Sequence, residues 1–132
     1  MYVDLVSSDR RQSSGHVAIC RVEQLAPFPR VALREVLDAY PSLEEVAWLQ
    51  EEPENMGAWD WMRGQLLETI EDRCSLRFIG RVRSASPSEG SATWHQINQR
   101  KLVDEAFARD SSAVAGSTVM SKPVYSLTGS KR

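Results

Sequence analysis

Residues 45–50 read Glu-Val-Ala-Trp-Leu-Gln, and this short apolar run predicts a strand buried on both faces of a sheet. A similar run at residues 75–79 predicts a second buried strand. Between the two, residues 58–70 carry apolar side chains at helical spacing, which predicts an amphipathic helix. A strand, a helix and a strand with short connections form a right-handed crossover, so the two strands run parallel. The centre of the chain therefore predicts an α/β domain.

The same alternation continues on both sides of this centre. Residues 16–23 form a nearly continuous apolar run, which predicts a further buried strand. Residues 29–40 predict a helix that begins at a proline. Residues 93–108 predict a closing helix whose apolar side chains, starting with Trp94 and Ile97, turn inward. The expected fold is a three-layer α/β domain built on a small, mainly parallel sheet.

The chain divides into three predicted segments. Residues 1–15 predict the end of a first helix and a linker, residues 16–108 the α/β domain, and residues 109–132 a flexible tail without periodicity. An α/β unit of this kind normally opens on a strand, whereas this chain opens on a helix. We therefore expect the sheet to lack its first strand.

Composition narrows the class of protein. The chain has 132 residues, 42% of them hydrophobic and 26% charged, which is typical of one globular domain. A formal charge of −2 argues against nucleic acid as a partner, because proteins that bind nucleic acid usually have an excess of basic residues. No apolar stretch approaches the roughly 18 residues of a membrane span. The two cysteines lie far apart, neither histidine has a metal-ligand motif around it, and common phosphate-binding and nucleophile motifs are absent. The sequence thus predicts no catalytic, cofactor-binding or metal-binding residue.

Polar residues follow the predicted strand at 45–50. Glu51 and Glu52 come directly after it, Asn55 lies in the loop, and Trp59 begins the next helix. Because ligands and subunits gather at the carboxyl ends of parallel strands, these four residues are candidates for a subunit interface. The alternative is that the carboxylates only solvate the loop.

A second candidate site follows the predicted strand at 75–79. Arg81 and Arg83, with Ser84 and Ser86 beside them, are the residue types that hold a phosphate through charge-assisted hydrogen bonds. This pattern makes the four residues candidates for binding an effector. The alternative is that the arginines are exposed and pair with nearby carboxylates.

Four segments together resemble the C-terminal domain of the decarboxylating, thiamine-diphosphate-dependent subunit of 2-oxoglutarate dehydrogenase. They are residues 16–29 (HVAICRVEQLAPFP), 48–59 (WLQEEPENMGAW), 76–90 with its Ser-Ala-Ser-Pro run, and 95–107. The resemblance covers about residues 16–108, and the loop at 84–90 favours the 2-oxoglutarate over the 2-oxoadipate enzymes. It implies a transketolase C-terminal-like fold.

The resemblance also implies a function for the whole subunit, which belongs to the tricarboxylic acid cycle. That subunit decarboxylates 2-oxoglutarate on thiamine diphosphate and magnesium, and then transfers the succinyl group to a lipoyl-bearing succinyltransferase. The domain would contribute homodimer contacts and contacts with other domains of the subunit. Acetyl-CoA or AMP would be its effector. The location would be the mitochondrial matrix in a eukaryote and the cytoplasm in a bacterium.

Other functions stay open on the sequence. The thiamine diphosphate motif is absent from the chain, so we expect the isolated chain neither to bind that cofactor nor to turn over 2-oxoglutarate. A stand-alone nucleotide-binding or acetyl-CoA-binding regulatory module is the first alternative. A domain of a 2-oxoadipate dehydrogenase subunit and a purely structural interaction domain are the others.

Overall fold

A computed structural model describes residues 1–108, and the tail predicted at 109–132 lies outside them. Five helices and two strands follow one another within the described residues. They are α1 (Tyr2–Ser7), α2 (Arg10–Ser13), α3 (Arg30–Asp38), β1 (Glu45–Pro53), α4 (Trp59–Ile70), β2 (Ser75–Arg81) and α5 (Ala92–Phe107).

The strands β1 and β2 pair in parallel, as the crossover through α4 predicts. Glu45 lies opposite Ser75, and the register holds up to Leu49 opposite Ile79. It then shifts, because Pro53 is the next β1 residue to find a partner, at Arg81. This irregularity brings the end of β1 and the loop that follows it close to the end of β2.

Helices pack on both faces of this small sheet, since successive strand residues point to opposite sides. Ala47 and Ile79 contribute to one buried cluster with α1 and α5. Val46 contributes to the other, with Leu33 and Leu37 of α3 and side chains of α4. The fold is therefore α/β, built on a parallel pair of strands.

The prediction of a strand at 16–23, and with it a three-stranded sheet, is wrong for the described residues. The sheet there has two strands, and Cys20 alone within 16–23 forms a bridge. The side chains of Val17 and Ile19 are nevertheless buried in the core. An apolar run reports burial of side chains, but it does not specify a backbone partner.

The first half of α5 also differs from the expectation. Trp94 is 58% exposed and Ile97 is 41% exposed, and all six residues from 92 to 97 lie at the surface. The second half buries Leu102 and Phe107. Helical spacing identifies a stripe of apolar residues, but it cannot tell how much of that stripe the rest of the chain covers.

A buried ion pair ties α5 to the sheet. The Arg77 guanidinium on β2 donates from Nε to Glu45 Oε1 at 2.9 Å, and its Nη1 lies 3.5 Å from Glu105 Oε1. Glu45 is 4% exposed, so its carboxylate needs the cation beside it to offset the cost of leaving water. Charged side chains of β1, β2 and α5 are thus joined through the Arg77 guanidinium.

Candidate functional site

The predicted site residues lie at the carboxyl ends of β1 and β2, where the loops after both strands meet. A cleft of ≈ 660 Å³ opens there, and Glu51, Glu52, Arg81, Glu89 and His95 contribute to its lining. We refer to it as the carboxyl-end cleft. Its position agrees with the general rule for parallel sheets.

Gln50 organises the loop that follows β1. Its Oε1 accepts from Trp48 Nε1 at 2.9 Å, and its Nε2 donates to the carbonyls of Met56 at 2.7 Å and Pro53 at 3.2 Å. Gly57 follows with φ +68°, and a Cβ there would lie 3.0 Å from Gln50 Nε2. Glycine at 57 therefore lets the loop close over this buried amide without strain. No role for Gln50 was predicted from the sequence, although a glutamine that ends an apolar strand was a usable signal.

Asn55 joins the two loops. Its Nδ2 donates to the Ser84 carbonyl at 2.9 Å, and its Oδ1 accepts from the Ser84 amide at 3.0 Å. A side-chain amide thus satisfies both backbone groups of Ser84, as a neighbouring strand would. Because Glu54 N also donates to the Arg81 carbonyl at 2.9 Å, the loops are held together at two places.

Arg81, Glu89, His95 and Asn98 form a polar cluster beside the carboxyl-end cleft. Glu89 Oε2 lies 3.2 Å from Arg81 Nη2 and 3.0 Å from His95 Nδ1, and Asn98 Nδ2 donates to Glu89 Oε1. The hydrogen bond from Asn98, followed by the charge of Arg81, holds the pKa of Glu89 below its ordinary value, against the opposing effect of burial. Arg81 Nη2 also lies 3.0 Å from His95 Nδ1, which accepts from Arg81 only when that nitrogen carries no proton.

The four predicted effector residues are only partly brought together. Arg81, Ser84 and Ser86 line one small pocket of ≈ 240 Å³, which Glu89 also lines. Arg83 does not line it and lies 3.9 Å from Glu54. The Ser84 hydroxyl donates to the Ser86 carbonyl and accepts from its amide, so it stabilises the local turn. The effector hypothesis stays a prediction, with Arg81 already paired to a carboxylate.

The four predicted interface residues also have different surroundings. Glu52 lines the carboxyl-end cleft, and Asn55 is engaged by Ser84. Trp59 is 8% exposed and packs on Phe78 with ring centroids 5.0 Å apart, so the structure does not place it at a free surface. Trp61, two residues further along α4, is 52% exposed.

Glu51 has a partner that the sequence did not suggest. Its Oε1 accepts from the Met1 ammonium at 2.6 Å and from Gln99 Nε2 at 3.0 Å. The same ammonium lies 3.0 Å from Asp4 Oδ2. Hydrogen bonding to the ammonium lowers the pKa of Glu51, and burial opposes this effect. The start of the chain is thereby fixed at the carboxyl end of β1.

Within residues 1–108, no group of three or more His, Cys, Asp or Glu residues could hold a metal ion. Cys20 and Cys74 are not joined in a disulfide, and both are half-buried. No helix among the described residues has the length and apolar character that crossing a membrane demands.

The fold and its carboxyl-end loops define an α/β domain with a parallel strand pair. Residues 1–107 match the family described as 2-oxoglutarate dehydrogenase C-terminal. The chain therefore belongs to the 2-oxoglutarate dehydrogenase C-terminal family, as the sequence motifs indicated.

Similar proteins carry matching names. A 2-oxoglutarate dehydrogenase E1 component of Shouchella clausii is 47% identical over 93 residues, which cover 70% of this chain and 10% of that protein. One of an Exiguobacterium species is 38% identical over 125 residues, covering 92% and 13% respectively. A multifunctional 2-oxoglutarate metabolism enzyme of a Mycobacterium species is 43% identical over 109 residues, covering 82% and 9%. The chain thus spans about a tenth of the length of these relatives.

Proposed function

We propose that this chain acts as the C-terminal domain of a 2-oxoglutarate dehydrogenase E1 subunit, in which other domains carry out the decarboxylation and the succinyl transfer to a lipoyl group. The match over residues 1–107 carries this proposal. The whole subunit would place the chain in the tricarboxylic acid cycle, within a complex that includes the lipoyl-bearing succinyltransferase. We also propose that the domain within the whole subunit has a three-layer, transketolase C-terminal-like fold.

The carboxyl-end cleft does not fit thiamine diphosphate. Glu51, Glu52 and Glu89 all contribute carboxylates to its lining, and they would repel a diphosphate. The Arg81 guanidinium there is already paired with Glu89. Thiamine diphosphate and magnesium would therefore be bound by the preceding domains of the subunit, and the chemistry would be the cofactor's own.

The contribution of this domain is a rigid contact surface. Loops after β1 and β2 are held together by Asn55 and Glu54, and the polar cluster around Glu89 fixes the second loop to α5. The exposed rings of Trp61 and Trp94 add apolar area outside the two buried clusters. Large amphipathic rings of this kind are enriched where proteins meet. These surfaces would contact the other domains of the subunit and its homodimer partner.

A chimera tests this function directly. The matching C-terminal segment of the Shouchella clausii relative is replaced by residues 1–108 of this chain, and 2-oxoglutarate-dependent reduction of ferricyanide is measured. We expect the chimera to be active, and the relative truncated before that segment to be inactive. The isolated chain with thiamine diphosphate and magnesium should show no turnover. A folded, dimeric chimera without activity would contradict the proposal, and turnover by the isolated chain would contradict the assignment of catalysis to other domains.

Effector binding is a second, separable role. Its supporting observation is that Arg81, Ser84 and Ser86 line one pocket. Titration calorimetry with AMP and acetyl-CoA would show heat that is lost in Arg81→Ala and largely kept in Arg83→Ala, because Arg83 lies outside that pocket. Absence of heat in the chimera as well as in the isolated chain would leave the four residues with a structural role only.

A further inference from the structure

Three polar atoms of the cluster around Glu89 are in mutual contact. Glu89 Oε1 accepts from Asn98 Nδ2, so Oε2 is the oxygen that faces the other two groups. Arg81 Nη2 lies 3.2 Å from Oε2, and His95 Nδ1 lies 3.0 Å from it. The two nitrogens are themselves 3.0 Å apart. Arg81, Glu89 and His95 therefore form a closed triangle of contacts.

The proton on His95 Nδ1 decides which two sides of this triangle are favourable. Without that proton, Nδ1 accepts a hydrogen bond from Arg81 and repels the carboxylate oxygen of Glu89. In a protonated ring, Nδ1 donates to Glu89 and places a positive charge against the Arg81 guanidinium. Each state satisfies two contacts and leaves the third repulsive, so the triangle has two arrangements.

His95 is the member of its charged surroundings whose charge changes near neutral pH. Charged side chains of α1, β1, β2 and the second loop face it, namely Asp4, Glu51, Glu52, Arg81 and Glu89. Carboxylates ordinarily lose their proton near about pH 4, and a guanidinium keeps its charge. An imidazole ordinarily titrates between about pH 5 and 8. The lowered pKa of Glu89 keeps that carboxylate ionised over the same range.

Arg81 and Glu89 also line the pocket of ≈ 240 Å³, and they are the charged residues of its lining. His95 lines the carboxyl-end cleft instead. Arg81 Nε is buried and has no hydrogen-bond partner among the described residues, so the guanidinium has a donor left for a ligand. The Ser86 and Ser88 hydroxyls each accept from a backbone amide, and their own protons can still be donated. The pocket thus offers donors for an anion, with Glu89 as the competing carboxylate.

We propose that His95 gates this pocket: protonation of its ring engages Glu89 and repels Arg81, so that Arg81, Ser86 and Ser88 bind the phosphate group of an effector. The proposal rests on the effector role given under Proposed function and adds pH as its regulator. Charge balance sets the direction. Arg81 and Glu89 cancel when the ring is neutral, whereas the protonated ring leaves one surplus positive charge, which attracts an anion. Binding should therefore weaken as the pH rises.

Sulfate binding tests the gate, because sulfate carries two negative charges throughout the range in which an imidazole titrates. Sodium sulfate is titrated into the 132-residue chain at constant ionic strength, and NMR shifts of the Ser86 and Ser88 amides report binding. We expect the dissociation constant to be roughly fivefold or more lower at about pH 6 than at about pH 8. AMP and acetyl-CoA are then added as competitors, so that displacement by one and not the other identifies the source of the phosphate. Displacement by neither would overturn the assignment of the pocket to these effectors.

Three variants separate the gate from the site. His95→Asn cannot take up a charge, so its affinity for sulfate should not change with pH. His16→Asn is the matched control, because that histidine lines neither the pocket nor the carboxyl-end cleft, and it should keep the full pH dependence. Glu89→Gln removes the competing carboxylate and should bind sulfate tightly at both pH values.

A readout without ligand tests the triangle itself. The NMR signal of Arg81 Nε–H should shift with the same midpoint as the ring signals of His95, and a signal that ignores this titration would overturn the gate. Sulfate affinity that is independent of pH, or a pH dependence that survives in His95→Asn, would also reject the gate and leave the effector role intact. No sulfate binding at either pH, in the unaltered chain and in Glu89→Gln, would overturn the effector role together with the gate. The activity of the chimera tests the role of the domain separately from all of these results.

Discussion

At the scale of single residues, the buried amide of Gln50 shows how one side chain shapes the carboxyl-end loop. It links the Trp48 ring, the Pro53 carbonyl and the Met56 carbonyl. The loop turns back over this amide at Gly57, where a positive φ and a close approach coincide. The shape of this loop therefore depends on Gln50, which was not among the candidate site residues.

Gly57→Ala should destabilise the chain. The left-handed backbone and the 3.0 Å approach to Gln50 Nε2 both act against a Cβ, and strain of this kind costs about 1–3 kcal/mol. Urea unfolding followed by tryptophan fluorescence measures the change. Gly64→Ala in α4 is the matched control, because nothing lies within 4 Å of its Cβ position; a helical site of this sort gains roughly 0.5–1 kcal/mol. Equal effects at the two positions would contradict the geometry at Gly57.

Asn55→Ala should loosen the second loop more than it destabilises the fold. It removes two hydrogen bonds to the Ser84 backbone, each contributing about 1 kcal/mol. Exchange of the Ser84 amide should accelerate, whereas exchange in α4 should not change. Asn55→Asp keeps the acceptor for Ser84 N–H and loses only the donor, so its effect should be intermediate. An Asp variant as loose as the Ala variant would show that the Ser84 amide does not depend on Oδ1.

At the scale of elements, the crossover β1–α4–β2 was predictable and the segment at 16–23 was not. The spacing of apolar residues and the lengths of the segments are enough to predict a strand–helix–strand unit whose parts are adjacent in sequence. Short connections between them allow only one arrangement. The pairing of residues 16–23 depends on which backbone lies beside them. That neighbour is not encoded within the run itself.

Helix α5 has both buried and exposed apolar side chains, whose contributions to stability can be compared. Leu102 is 4% exposed, and Leu102→Ala should destabilise the chain by about 2–5 kcal/mol. Trp94 is 58% exposed, so Trp94→Ser in the isolated chain should change stability by at most about 0.5 kcal/mol. Thermal and urea unfolding give both values. A large loss from Trp94→Ser would show that its ring is covered within the chain.

The same contrast applies to the candidate site. Arg81 was predictable as a cation after a strand, but its partners Glu89 and His95 were not, because they reach it only through the path of the second loop. A phosphate and a carboxylate select the same guanidinium, so residue type cannot distinguish them. Three-dimensional proximity of Glu89 decides what Arg81 contacts in this chain.

At the scale of the whole molecule, stability should fall at both acid and alkaline pH. Hydrogen bonds from Gln99 and the Met1 ammonium lower the pKa of Asp4, and similar contacts lower the pKa of Glu51. The stability that these two carboxylates contribute is complete above their ordinary pKa values of 3.8 and 4.5. It is lost as the pH falls through their lowered pKa values in the folded chain. Burial lowers the pKa of the Met1 ammonium, but hydrogen bonds to Glu51 and Asp4 outweigh it and raise the pKa. That contribution is complete below pH 8.0 and is lost as the pH rises through the raised value.

Thermal unfolding against pH separates these effects. Acetylation of the Met1 amine should abolish the alkaline decline and weaken the acid one, since Asp4 and Glu51 lose their cation. Glu89→Gln should change the acid decline alone, because the lowered pKa of Glu89 comes from Asn98, Arg81 and His95. An alkaline decline that survives acetylation would assign it to another group.

The place of Met1 beside Glu51 also has a practical consequence for handling this protein. An affinity tag fused ahead of Met1 would exchange the ammonium for an amide and remove the cation that contacts Glu51 and Asp4. A tag fused after Arg132 keeps the Met1 ammonium as it is. A tag on the first residue therefore changes the charged contact at the end of β1, and two preparations that differ only in tag position are different samples.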